Sequence, residues 1–182
     1  MTTPIVPVDG ELSAVNSAFW SIPKRTATSV EDRIASLETD LELRDVLARY
    51  IDALDSGDLD AIMRFIHDDC VIVGPRGTLV GKDEIRRDYE FILANSSARV
   101  HRATNVVVRV IADDEAWIAS RNHATLQRLD GTLIAVVAVV VDGLLKDGEW
   151  RMRQRRVAPI VSYSLDHEPF TLEPAAGIDA GD

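Results

Sequence analysis

An α+β fold, with helices first and a curved antiparallel sheet second, is what this sequence predicts, and three observations predict it. Apolar residues recur at helical spacing as far as Asn95. Beyond Val100 the period changes to long runs rich in Val, Ile and Thr, the signature of strands. The turns between those runs carry Asp113-Asp114, Asp130-Gly131 and Asp147-Gly148, of which the last two are strong hairpin signals. The helices would cover one face of the sheet and leave a conical cavity between the layers.

Each element can be justified in order. Residues 1–28 hold Pro4, Pro7 and Pro23 with little periodicity and read as an arm, docked through Phe19 and Trp20. Ser29 followed by Asp32 is a capping box that opens a helix. Ile34, Leu37, Leu41, Val46, Leu47, Tyr50, Ile51 and Leu54 continue it as one apolar stripe, and Gly57 stops it. A short second helix from Asp58 buries Leu59, Ile62, Phe65 and Ile66. Residues 70–73 and 78–80 read as short strands around a Gly74–Gly77 turn. Residues 82–95 form a third helix with Ile85, Tyr89, Ile92 and Leu93 on one side. Four strands follow, at 100–111, 116–129, 133–145 and 149–162. The organisation expected is an arm over 1–28, one domain over 29–165 and an acidic tail over 166–182.

Composition excludes several function classes. The chain has 182 residues, 46% of them hydrophobic, which suffices for one well-buried core. A net charge of −10 argues against a nucleic-acid partner and against an anionic membrane surface. The one basic cluster, Arg151, Arg153, Arg155 and Arg156, lies within a strand, so alternation divides it between two faces. A single cysteine, Cys70, excludes an internal disulfide and suits a reducing cytoplasm. The segment MTTPIVPVDGELSAVN lacks the basic and apolar regions of a signal peptide. The longest apolar run, 133–141, is too short for a membrane helix. It is apolar at successive positions, more than one solvated sheet face needs, which predicts a homo-oligomer, a dimer or a trimer.

Specific segments carry a family likeness. LRDVLARYIDALDSGDLDAIMRFIHDDCVIV gives a helix, a D-x-G-D step, a short helix and a D-D-hydrophobic strand. Gly81-Lys82-Asp83-Glu84-Ile85, His101-Arg102-Ala103-Thr104-Asn105 and Asp147-Gly148-Glu149-Trp150-Arg151 follow in that order. Over residues 35–160 the chain resembles the SnoaL-like branch of the nuclear-transport-factor-2-like superfamily. That likeness implies a cone-shaped barrel, a curved antiparallel sheet wrapped over three N-terminal helices. Within the family the matched positions resemble two lyases, scytalone dehydratase and hexachlorocyclohexane dehydrochlorinase. The resemblance implies an Asp–His pair at Asp55 and His101, and an active-site arginine at Arg155. Leu54 stands where the dehydratase has a tyrosine, and Val140 where many relatives have one.

The chemistry of these residues is coherent by itself. Imidazole titrates near neutral pH and is the natural general base, a role worth about 10²–10⁴-fold in rate. A carboxylate on its far nitrogen fixes the tautomer and steadies the imidazolium. Arg155 suits a leaving anion or an enolate, because guanidinium stays charged. Tyr50, Asn105, Trp117 and His123 are the candidate substrate-binding residues. His67-Asp68-Asp69-Cys70 resembles a ligand run, but side chains at a helix-to-strand junction diverge, so no metal is expected. With no Gly-rich phosphate loop and no dinucleotide fingerprint, no cofactor is expected either. The function expected is a cofactor-independent lyase acting on a mostly apolar small molecule. The alternatives are an isomerase or polyketide cyclase using the same base, and a non-catalytic binding module.

Overall fold

The computed structural model describes residues 12–165; the rest of the expected arm and the expected tail lie outside the described residues. The elements are α1 (Leu12–Ser21), α2 (Val30–Ser56), α3 (Leu59–Arg64), β1 (Ile66–Gly74), β2 (Gly77–Val80) and α4 (Lys82–Ala94). They are followed by β3 (Ser96–Val110), β4 (Glu115–Arg128), β5 (Leu133–Asp147) and β6 (Glu149–Leu165). The strands form one sheet in the order β2-β1-β6-β5-β4-β3. The antiparallel meander β3–β6 is as expected, and the α+β cone is the architecture found. The sheet is nevertheless mixed and open: β1 runs parallel to β6, and β2 and β3 are its edges.

Local chemistry sets the ends of α2. Ser29 Oγ accepts the Asp32 N–H at 3.0 Å, and the Asp32 carboxylate accepts the Ser29 N–H at 3.3 Å. At the other end Gly57 takes φ 74°, the left-handed cap that favours glycine. A Cβ there would also lie 2.6 Å from an Arg99 guanidinium nitrogen, so another residue would both strain the backbone and push that side chain aside.

The expected single stripe of α2 is in fact two faces. Leu43, Val46, Leu47, Tyr50 and Leu54 pack into the core. Ile34, Leu37 and Leu41 instead face solvent, with exposures of 51%, 66% and 68%. Leu41 and Leu43 differ by about 200° around the axis at 3.6 residues per turn, so both cannot face the sheet. The apolar spacing was right for a helix and wrong for one face.

Residues 12–21, read from the sequence as part of an arm, form α1 on the outer face of the sheet. Its Val15 and Phe19, with Ile22 just beyond, pack on Trp117, Val139, Val141 and Ala158. The Arg109 guanidinium lies over the rings of Phe19 and Trp20 at 5.4 and 5.1 Å. This explains part of the two-sided apolarity of β5 without a second subunit. One face meets the core under α2, α3 and α4, and the other meets α1. The outer face beyond α1 keeps Val161 and Tyr163 about half exposed.

Gly143 on β5 shows how tightly the outer layer is built. A Cβ there would sit 3.0–3.1 Å from the Trp117 ring. Both residues are buried. Gly143→Ala is therefore expected to overpack this contact at a cost of about 1–3 kcal/mol. The change should lower the urea midpoint at an unchanged slope.

Candidate active site

Asp55 sits in the last turn of α2, and His101 lies on β3 opposite Ala124 of β4. The Asp55 carboxylate accepts the His101 backbone N–H at 3.0 Å through Oδ2. Its Oδ1 lies 2.6 Å from His101 Nδ1. Side-chain exposures are 28% for Asp55 and 14% for His101, so the contact is shielded from most water. Arg99 adds a second tie, donating from Nε to the Leu54 carbonyl at 3.2 Å and from Nη1 to the Ser96 carbonyl at 3.1 Å. Because Nδ1 is engaged, the imidazole offers Nε2 as its remaining nitrogen.

His101 lines a cavity of about 230 Å³ between the helices and the sheet. Its walls are largely apolar, with Leu54, Ile72, Leu79, Ile92, Val140 and Val157 among them. Seven further polar residues also reach it: Tyr50, Tyr89, Arg99, Asn122 and Arg155, and the Arg76–Asp88 ion pair. An apolar cleft with a few convergent polar groups is the usual form of a small-molecule site.

Arg155 is 5% exposed and is held from two sides. It donates from Nη1 to Tyr50 Oη, and its guanidinium carbon lies 4.6 Å from the Tyr50 ring centre. Asp142, directly opposite on β5, forms an ion pair with Arg155 Nε at 3.3 Å, without hydrogen-bond alignment. Tyr50 Oη lies 2.5 Å from Tyr89 Oη, extending the chain to α4. Burial pushes the Asp142 carboxyl above its ordinary range, with the Arg155 charge opposing. Burial also raises the Tyr50 phenol well above its usual value, again against Arg155. The Asp142 carboxylate offsets burial at Arg155 and keeps the guanidinium charged. Burial pushes the Cys70 thiol up to about 12, which makes it unreactive as a nucleophile.

Tyr50, His101 and Arg155 line one cavity, with Asp55 behind His101. Arg155 faces inward because of a bulge. Gly143 pairs with Gln154 and Leu144 with Met152, so Arg153 is the extra residue and the face changes there. Trp150 and Met152 point to the core before it, and Arg155 and Val157 line the cavity after it.

The other three candidates lie elsewhere. Unbroken alternation along β3 would put Asn105 on the His101 face, but a register shift falls between Thr104 and Val107. Asn105 sits in that bulge at φ 50° and is exposed. His123 pairs with Arg102, one position off the His101–Ala124 pair, so it projects from the outer face and is exposed. Trp117 shares that outer face and is buried beneath α1. Their correction follows from strand register, which alternation within one strand does not supply.

Sequence reasoning missed Asn122, Tyr89 as a polar group, and Asp142. Asn122 Oδ1 is buried with no hydrogen-bond partner and belongs to the cavity wall. Asp142 had a signal, an acid ending the apolar run LIAVVAVVV. Among the described residues, no three His, Cys, Asp or Glu side chains gather as metal ligands. No described helix is long and apolar enough to cross a membrane.

The chain belongs to the SnoaL-like domain family, whose profile matches residues 47–153. No curated protein matches the sequence. Among solved structures it is similar to a scytalone dehydratase-like protein of Novosphingobium aromaticivorans DSM 12444. The TM-score is 0.68 at 17% identity, over 81% of this chain and 99% of the other. It is similar to the hexachlorocyclohexane dehydrochlorinase LinA-type3 of Novosphingobium barchaimii LL02, with TM-score 0.67 and 14% identity over 78% and 99% of the two chains. A ketosteroid isomerase-like protein of Erwinia carotovora atroseptica SCRI1043 matches at TM-score 0.58 and 21% identity, over 66% and 95%. Likeness at this identity establishes a nuclear-transport-factor-2-like fold.

The buried pair generates a stability prediction. Asp142→Ala leaves the Arg155 charge buried without its counter-ion, which costs about 3–5 kcal/mol. The loss should be read as a lower urea midpoint, several times larger than for a surface Asp→Ala such as Asp45→Ala.

Proposed function

We propose that the protein is a cofactor-independent lyase that removes a proton from carbon in a mostly apolar small molecule. The observation that carries this reading is the Asp55–His101 contact at 2.6 Å at the wall of an apolar cavity. His101 Nε2 takes the proton, and Asp55 fixes the ring and steadies the imidazolium. The electron pair moves into an enolate or expels the leaving group directly. In a dehydration the imidazolium returns its proton to the departing hydroxide, so water leaves and the base is restored.

The polar end of the cavity supplies the electrostatics. Arg155 holds a fixed positive charge behind the Tyr50–Tyr89 phenols, where developing negative charge on oxygen is stabilised. Asn122 Oδ1 accepts a hydroxyl or N–H of the substrate, and the apolar walls take its ring or chain. An isomerase or cyclase is the second reading, since the same phenol and guanidinium cluster stabilises an enolate that is reprotonated instead of losing a group. A protein with one buried cysteine suits the reducing cytoplasm, and the open part of the outer sheet face at Val161 and Tyr163 is a surface for a homo-oligomer of two or three subunits.

Scytalone and hexachlorocyclohexane, the compounds in the neighbours' names, are the first substrates to try, with loss of water or HCl read by mass spectrometry. Incubation of cyclic ketones in deuterium oxide reads proton removal even where no group departs, and so separates isomerase from lyase. His101→Ala should lose about 10²–10⁴-fold in turnover with substrate affinity near wild type. Asp55→Asn should fall in the same direction, and the double variant should be little worse than either single. Full activity in His101→Ala, or additive losses, would exclude the base assigned here, and no turnover of any substrate by the unaltered protein would leave the binding module.

A different measurement reads Asn122. Asn122→Leu should raise KM more than it lowers kcat, because a uniform binding contact is removed. An unchanged KM would remove Asn122 from the substrate contacts.

A further inference from the structure

The first half of α2 carries two faces that point opposite ways. Asp32, Ser36 and Thr39 are half-buried on the side that continues into buried Leu43. On the opposite side Val30, Ile34, Leu37 and Leu41 are 51–68% exposed. Their spacing of four, three and four residues is the d-a-d-a pattern of a coiled-coil seam. Scattered apolar residues on a surface need no explanation, but an unbroken row at seam spacing marks an interaction site. The helix is already formed, because the capping box fixes its start and the core anchors it from Leu43 onward. Pairing through this stripe therefore incurs no nucleation cost.

We propose that the outward stripe of α2 pairs with the same stripe of a second copy of this chain, the two helices lying parallel. Charge selects the occupant and the direction. With Ile34 and Leu41 at a and Val30 and Leu37 at d, Arg33 is a g residue and Glu38 an e residue. In a parallel pair each Arg33 faces Glu38 of the second copy, twice by the two-fold axis. Neither side chain has a partner among the described residues. The next flanking pair, Asp40 and Asp45, would be like-charged, but each is already matched within its own helix, to Arg44 and Arg49. An antiparallel pair would set Glu31 against Glu38 at both ends, and would leave Arg33 facing only Asp40, which Arg44 already holds. The contact is short, so the association is concentration-dependent rather than permanent. It is distinct from the sheet face and does not depend on the reaction assigned to the cavity.

Light scattering at high micromolar concentration reads the pairing. Leu37→Glu should halve the particle mass and leave the thermal midpoint of the dilute, unpaired protein unchanged, since Leu37 is 66% exposed and belongs to neither core cluster. Arg33→Glu should weaken association roughly tenfold by reversing two pairs, and adding Glu38→Arg should restore it. Under mild oxidation Leu37→Cys should form a disulfide-linked dimer on a non-reducing gel, because equivalent d positions meet only in the parallel arrangement. Native Cys70 is buried and gives no background. Equal mass for wild type and Leu37→Glu, or no disulfide in Leu37→Cys, would overturn the proposal.

Discussion

One carboxylate joins the two layers of this protein. Asp55 accepts two hydrogen bonds from a single residue of β3, one from the His101 backbone and one at its ring. Bonds to an ionised acceptor are about twice as strong as neutral ones, and partial burial limits competition from water. Because Asp55 ends α2, the contact sets how far that helix stands from the sheet at the cavity wall. The Arg99 bonds to the Leu54 carbonyl and to Ser96 secure the same seam, with a cation at a helix C-terminus where the dipole favours it. The cavity, the orientation of the imidazole and the end of α2 are thus one structural decision.

The other end of the cavity follows a different logic. A buried Arg–Asp pair adds little net stability, since desolvation offsets most of the attraction. Its use is to hold a charge in a buried position. Asp142 sits on the strand beside Arg155, and Tyr50 covers the guanidinium face, so the cation is fixed before any ligand arrives. Cys70, near the same pair, is buried and inert. The site therefore has an imidazole anchored from the helix layer and a cation anchored within the sheet. Both look into one apolar space.

Much of this was legible in the sequence, and the reasons for the rest are specific. Capping at Ser29–Asp32, the stop at Gly57 and the hairpin turns are local chemistry and were readable without tertiary contacts. The Asp55–His101 pairing was legible only through family resemblance, since the two lie far apart in the chain. The misplacements share one cause. Periodicity gives a face relative to neighbours on the same element, not relative to the core. Bulges at Asn105 and Arg153 invert the count within a strand, turning Asn105 out and Arg155 in. On α2 a seven-residue pattern continues through Leu41 and then yields to a second stripe from Leu43, so one run of leucines hid two faces. Helix α1 escaped because its prolines mark the ends of the segment, while Val15 and Phe19 meet the sheet only in three dimensions.

The central claim is that Asp55 holds His101 with Nδ1 turned inward to the carboxylate and Nε2 open to the cavity. Long-range proton–nitrogen correlation spectra of the histidine rings read this directly, with His101 assigned by its loss in His101→Gln. The account predicts that the neutral ring carries its proton on Nδ1, with Nε2 unprotonated, and that Asp55→Asn disturbs this state. A neutral His101 with its proton on Nε2, unaffected by Asp55→Asn, would contradict it.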